Sequence, residues 1–240
     1  MITNSRPIVS LFDMTGNMVK PWAEIGYKCH IFDLQNEGLY HADKNGGVIV
    51  KHSADLYDNK WLDVIKTLNP AIIFAFPPCT DLAVSGAAHF ASKKLANPNY
   101  RQEAMNLVYL GRDIAEAIGC PYMIENPVSV ISTEWRKPNF KFHPHEYGGY
   151  LPKDDVHPEY PEYILPRDAY PKKTCLWTGN GFEMPSIKSV MDATEAGAYS
   201  LQYKKLGGKS LKTKNIRSAT PRGFAKAVCE HYTKENIKEA

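Results

Sequence analysis

No apolar run in this chain approaches the roughly 20 residues of a membrane-spanning helix. The first residues, Met1-Ile2-Thr3-Asn4-Ser5-Arg6, lack the charged-then-apolar layout of a signal peptide, so a cytoplasmic protein is expected. Cysteine is sparse. The five thiols, at positions 29, 79, 120, 175 and 229, are an odd number, widely spaced and without a Cys-x-x-Cys pair. That pattern argues against a disulfide framework or a zinc site and for reduced thiols. Internal repeats and low-complexity tracts are absent. Acidic residues are missing from one long stretch, 201–226, which carries Lys204, Lys205, Lys209, Lys212, Lys214, Arg217, Arg222 and Lys226 around a Gly207-Gly208 hinge. A solvated basic loop and a contact with a phosphate backbone both fit such a run.

What is present reads as an ordinary globular chain. It has 240 residues, 43% hydrophobic and 23% charged, with a net charge of +3. This is enough for one full core and a small additional lobe.

Strands and helices alternate. Residues 7–12 read as a first strand, 13–17 as a turn and 18–25 as a short helix stopped by Gly26. Residues 27–32 form a second strand that ends in Asp33. An acidic residue closing strand two, after a glycine turn, is the layout that holds an adenosine-type ligand. The glycine admits close backbone approach, and the carboxylate accepts from ribose hydroxyls. Residues 48–50 predict a third strand, leading to a loop at 52–56. Residues 61–68 predict a helix, with Trp61, Val64, Ile65 and Leu68 at 3–4 spacing. The pattern predicts a doubly wound, parallel α/β sheet.

Ala71-Ile72-Ile73-Phe74 is too short for a typical helix and reads as a buried strand. It runs into Ala75-Phe76-Pro77-Pro78-Cys79-Thr80. Two prolines continue neither a ladder nor a helix, so Cys79 is expected on a rigid loop at the carboxyl end of a strand, the ligand-binding edge of such sheets, where a functional thiol and a buried thiol in a proline turn both fit. A helix over 99–118, capped by Gly119, has Ala104, Leu107, Val108, Ile114, Ala115 and Ile118 on one face. The strand 121–124 then delivers Glu125-Asn126-Pro127 as a second proline-locked loop at the same edge. Residues 152–171 have no apolar period and read as a surface insertion or arm. Residues 172–179 resume as a strand. Thr220-Pro221 provides an N-cap and first-turn proline for a last helix reaching about residue 237, with Phe224, Ala227, Val228 and His231 on its inner face.

In this order the loops resemble those of the S-adenosylmethionine-dependent DNA cytosine-C5 methyltransferases, especially compact phage-type members. Phe12-Asp13-Met14-Thr15-Gly16 resembles that family's Phe-x-Gly-x-Gly cofactor loop, with Met14 in place of the first glycine. Asp33 matches its ribose-binding acid, and Asp55-Leu56 its Asp-Ile adenine contact. Pro77-Pro78-Cys79-Thr80-Asp81-Leu82-Ala83-Val84-Ser85-Gly86 is similar to Pro-Pro-Cys-Gln-x-Phe-Ser-x-Ala-Gly, keeping the glycine seven residues after the cysteine. Glu125-Asn126-Pro127 resembles Glu-Asn-Val. Tyr147-Gly148 followed by Pro171-Lys172-Lys173-Thr174 resembles Tyr-Gly-x-Pro-Gln-x-Arg-x-Arg split by the insertion. The arginine pair is lost, with Lys173 the candidate substitute. Arg217-Ser218-Ala219-Thr220-Pro221 corresponds to the closing motif.

The resemblance implies a Rossmann-like methyltransferase sheet with a small, reduced recognition lobe. It implies catalytic roles for Cys79 and Glu125. Phe12, Thr15, Gly16, Asp33, Asp55, Leu56, Pro77 and Ser218 would bind S-adenosylmethionine. Pro78, Asn126, Lys173 and Arg217 would bind substrate. The expected layout is a core at 1–145, a recognition region at 146–216 and a C-terminal helix at 217–240 returning to the core. The implied activity is cytosine-C5 methylation of DNA with little sequence preference, marking phage or mobile-element DNA against restriction. RNA or a free cytidine nucleotide as substrate, or a non-catalytic module that binds cofactor or nucleic acid, are the alternatives. No metal and no membrane partner are expected.

Overall fold

The computed structural model describes residues 2, 5–38, 40–42, 45–191, 201–207 and 210–233. The expected strand Pro7–Phe12 forms as β1 (Ile8–Leu11), followed by α1 (Lys20–Glu24), β2 (Lys28–Asp33), β3 (Tyr40–Ala42), β4 (Val48–Ser53) and α2 (Lys60–Leu68). Then come β5 (Ile72–Ala75), a 3-10 turn at Val84–His89, α3 (Phe90–Ala96), α4 (Tyr100–Ile118), β6 (Tyr122–Pro127), α5 (Ile131–Glu134), β7 (Phe140–Phe142) and β8 (Thr174–Gly179). The sheet order is β3-β4-β2-β1-β5-β6-β8-β7. The five strands β4, β2, β1, β5 and β6 are parallel, while β3 and β8 run antiparallel to β4 and β6. The fold is α/β with a mostly parallel, Rossmann-compatible sheet.

Every residue of β1 and β5 is buried, as expected of strands covered on both faces. From β1 the chain winds outward to β2 and β4, then crosses to β5 on the other side of β1. The reversal makes a topological switch point between β1 and β5. The amphipathic face of α4 buries Ala104, Met105, Leu107, Val108, Gly111, Ile114 and Ala115, with Ile118 packed at its margin. Gly111 permits the closest approach: a Cβ there would lie 2.9 Å from the Cβ of Ala75, at the end of β5.

Two compact units divide the described chain, one of Ile2–Lys141 with Thr174–Glu183, the other of Phe142–Lys173 with the chain from Met184 onward. These boundaries differ from the expected ones at 145 and 216. Residues 174–183 belong with the sheet because β8 pairs with β6. The last helix groups with the second unit rather than with the sheet.

The second unit contains a 3-10 turn at Pro144–Tyr150, a second at Pro166–Asp168, and helices α6 (Leu201–Lys205), α7 (Leu211–Ser218) and α8 (Arg222–Thr233). The expected extension of the last helix toward 237, like Gly208 and Lys209 of the basic run, lies outside the described residues. Within this unit the Phe224 ring stacks on Phe142 at 4.3 Å and meets Tyr147 edge-on at 5.1 Å, which covers the apolar face of α8. Gly223 sits so close to Tyr147 that an added Cβ would be 2.5 Å from its carbonyl oxygen. Residues 152–171 are less of a surface arm than their composition predicts, since Ile164 and Tyr170 are buried with Ala219.

Two successive residues, Arg167 and Asp168, hold left-handed φ values of 55° and 50°. This backbone, costly for non-glycine residues, turns Asp168 inward, where its carboxylate accepts from the Gly223 N–H at 2.8 Å. Asp155 accepts from Arg222 Nη2 at 2.6 Å and from the Arg167 N–H at 2.9 Å. The first turn of α8 is thereby held by two carboxylates. Among the described residues no helix is long and apolar enough to cross a membrane, and no group of three or more His, Cys, Asp or Glu side chains is arranged to hold a metal ion.

Burial pushes the Asp168 carboxyl up to about 6. The folded protein therefore binds a proton there that the unfolded chain has released, and this site's contribution to stability falls as pH rises from about 4 through about 6. Asp168→Asn keeps a carbonyl acceptor for Gly223 without the titration. Urea melts between pH 4 and 7 are expected to show the wild type losing stability relative to Asp168→Asn across that window, and a constant difference beyond pH 7.

Candidate active site at the carboxyl edge of the sheet

At the end of β1, Phe12 adopts a left-handed φ of 57°, an outlier for a bulky residue. The kink lets the Asp13 N–H donate to the Phe32 carbonyl of β2 at 3.3 Å. The Asp13 side chain turns inward and organises the loop. It accepts from Ser10 Oγ at 2.8 Å, Thr15 Oγ1 at 3.1 Å and the Gly16 N–H at 2.7 Å. Burial pushes this carboxyl above its usual range, opposed by those three donors. Gly16 is buried with φ +69°, a conformation that favours glycine. Asp13 is the site residue that sequence reading missed. Its signal was the Ser10-x-x-Asp13-x-Thr15-Gly16 spacing, which puts two hydroxyls and an amide within reach of one carboxylate.

Asp33 closes β2, half-buried, with Oδ1 accepting from the Gln35 N–H at 2.8 Å. Its Oδ2 has no hydrogen-bond partner among the described residues. Burial raises its pKa, and nearby Asp13 adds to the rise. Beneath it, His30 Nδ1 and His52 Nε2 share a hydrogen bond of 2.9 Å, and the His52 ring stacks on Phe32 at 4.3 Å. Burial pushes His30 down to about 4, so the buried ring of this pair stays neutral at physiological pH. Asp55 is exposed and accepts from the Tyr57 N–H at 3.0 Å. Leu56 departs from expectation: its side chain is buried in the core cluster with Phe32 and Ile65.

Cys79 and Glu125 come from adjacent parallel strands. Ala75 of β5 is in register with Ile124 of β6, so Phe76 and Pro77 run alongside Glu125 and Asn126. Glu125-Asn126-Pro127 is not a loop, as its proline suggested. It is the end of β6, held opposite Leu176, Cys175 and Thr174 of β8. The fully buried Asn126 donates from Nδ2 to the Pro77 carbonyl at 2.9 Å. Further along, Ala83 and Ser129 form a β-bridge, with the Val84 N–H on the Val128 carbonyl and the Val130 N–H on the Leu82 carbonyl, each at 3.0 Å. Between these fastenings the Cys79 carbonyl accepts from the N–H groups of Leu82 and Ala83. Pro77 is buried, whereas Pro78, Cys79 and Thr80 are exposed and Glu125 is half-buried. Of the five thiols only Cys79 is exposed.

The structure thus brings Phe12, Thr15, Gly16, Asp33, Pro77, Pro78, Cys79, Glu125 and Asn126 to the carboxyl edge of one sheet. Lys173, Arg217 and Ser218 lie in the other compact unit. There Lys173 is exposed, Arg217 Nη2 donates to the Leu206 carbonyl at 2.6 Å, and Ser218 Oγ donates to the Asn215 carbonyl at 3.2 Å. Of the basic run, Lys204, Lys212 and Lys214 are exposed, while Arg222 is paired with Asp155. No protein-family model matches the chain, and no curated protein matches it.

Asn126→Ala leaves the Pro77 carbonyl without its donor. A loss of about 1–2 kcal/mol in chemical denaturation is expected, together with faster hydrogen exchange at Leu82, Ala83 and Val84. Unchanged exchange in that segment would show that Asn126 does not hold the loop.

Proposed function

We propose that this chain is an S-adenosylmethionine-dependent cytosine-C5 methyltransferase acting on DNA, with Cys79 as nucleophile. The observation that carries the reading is the exposed Cys79 loop fastened to the strand end that bears Glu125, beside the switch point where Gly16 and Asp33 also lie.

The residues on the β1 and β2 side fit the cofactor. Gly16 offers a backbone without a side chain at the loop, and Asp33 keeps one carboxylate oxygen for a ribose hydroxyl. Phe12, Thr15, Asp55 and Pro77 border the same edge. Leu56 contributes through the packing beneath it, and Met14 stands where the resemblance expects glycine. When bound, S-adenosylmethionine supplies an electrophilic methyl group.

Carbon 5 of cytosine lies in an aromatic ring and is a poor nucleophile. The Cys79 thiolate adds to carbon 6, forming a sulfur–carbon bond and shifting the ring electrons toward carbon 5, which becomes enamine-like. Glu125, as the acid, donates its proton to N3 as negative charge develops there and accepts from the exocyclic amine. After carbon 5 is methylated, its proton passes to water, the electrons of that bond re-form the carbon 5–carbon 6 double bond, and the sulfur–carbon bond breaks to release Cys79 as thiolate. Pro78 and Asn126 shape the loop that presents the thiol. A base inside a duplex has to be flipped out to reach Cys79.

Lys204, Lys212 and Lys214, with Lys173 and Arg217, would supply salt-sensitive contacts to the phosphate backbone. The small second unit leaves little surface for base readout, which favours weak or very short sequence preference. A role in marking phage or mobile-element DNA against restriction fits such preference.

The test is incubation with labelled S-adenosylmethionine and, in parallel, DNA, RNA or dCMP, followed by digestion and mass spectrometry of the nucleosides. The expected product is 5-methylcytosine in DNA. Cys79→Ser is expected to lower the rate by about 10^3-fold or more and Glu125→Gln by about 10^2-fold. Label in N4-methylcytosine would refute the Cys79 mechanism. Product in RNA or dCMP alone would move the substrate. Cofactor binding with no product on any substrate would indicate a binding module.

A further inference from the structure

The Cys79 loop is gripped from a second side. Lys93, on α3, reaches back 13 residues to place Nζ 2.7 Å from the Thr80 carbonyl and 2.6 Å from Asp81 Oδ1. The side chain is only 28% exposed, and its carboxylate partner 38%. With Asn126 on the Pro77 carbonyl and Leu82 and Ala83 on that of Cys79, the carbonyls of Pro77, Cys79 and Thr80 are each held by a donor. Lys93 is the side chain that does this on the carboxyl side of the thiol. The 3-10 turn and helix that carry it, Val84–Ala96, bury none of their residues, so packing alone anchors them weakly.

The charge setting makes the contact more than a brace. Asp81 stands two residues from Cys79. Glu125 lies toward the end of the neighbouring strand β6, and Glu103 of α4, Asp55 of the loop after β4 and Asp81 itself lie close enough to Tyr57 to push its phenol upward behind the larger effect of burial. On the cationic side, α3 and the turn before it carry Lys93, Lys94 and His89, of which Lys93 alone is bonded to the loop. We propose that Lys93 is a positioning residue for Cys79. It fixes the loop after the thiol through Thr80 and neutralises Asp81, so that a negative charge can form on sulfur among carboxylates. The inference rests on Cys79 being the nucleophile.

Alkylation of Cys79 by iodoacetamide tests it without cofactor or nucleic acid, because the other four thiols are buried. Rates are followed at neutral pH by mass spectrometry of the Cys79 peptide, with circular dichroism as the control for folding. Lys93→Met is expected to slow alkylation by about 3- to 10-fold, since its loss leaves Asp81 uncompensated. Lys93→Arg keeps both bonds and stays within about twofold of the wild type. In Lys93→Met/Asp81→Asn the offending carboxylate is gone and most of the lost rate returns. Asp81→Asn alone frees the cation and speeds the reaction, and this variant decides the matter if Lys93→Met does not fold. Alkylation by Lys93→Met at the wild-type rate, or a double variant as slow as Lys93→Met, would overturn the proposal. If the Lys93 effect holds but no substrate is methylated, the coupling stands and the enzymatic reading fails.

Discussion

The entry to the Cys79 loop depends on one side-chain bond, from the amide of Asn126 to the Pro77 carbonyl. A segment with two successive prolines has no N–H at either position and cannot fasten itself to a ladder. The neighbouring strand has to supply the donor. Because β6 is parallel to β5 and in register, its residue two beyond the last ladder pair is the one that reaches Pro77, and that residue is Asn126. The bridge between Ala83 and Ser129 fastens the other end. Cys79 is thus exposed yet conformationally fixed, a combination that a nucleophile needs and a buried structural thiol does not.

The same economy governs the loop after β1. Asp13 spends its carboxylate on Ser10, Thr15 and Gly16, each within three residues of it, and ties its own N–H to β2. A loop ordered from within leaves its outer surface for a ligand. In the second unit two acidic residues play a comparable part at the start of α8, where strained backbone at Arg167 and Asp168 is held in place by Gly223 and Arg222.

Much of this was legible in the residues. The alternation of strands and helices, the αL cap at Gly119, the inner face of α4 and the place of Cys79 on a loop at a strand end all follow from local rules of periodicity and turn chemistry. What was not legible depends on partners distant in sequence. The extension of β6 through Pro127 exists because β8 arrives about 50 residues later to pair with it. The three-residue strands β3 and β7 are too short to show a period. Leu56 looked like a ligand contact by its place in a motif, but its side chain is buried in the core cluster that also holds Phe32 and Ile65. Lys93 left no sequence signal because its partners, Thr80 and Asp81, are reached only when the turn at Val84–His89 folds α3 back over the loop.

The central claim is that Cys79 forms a bond to carbon 6 of cytosine. It is tested most directly by incubating the protein with S-adenosylmethionine and DNA containing 5-fluorocytosine, whose fluorine cannot leave as a proton does and so traps the adduct. The account predicts a covalent protein–DNA species whose cross-linked peptide contains Cys79, and none with Cys79→Ser. Production of 5-methylcytosine in ordinary DNA without any trapped species, or a cross-link that persists in Cys79→Ser, would contradict it.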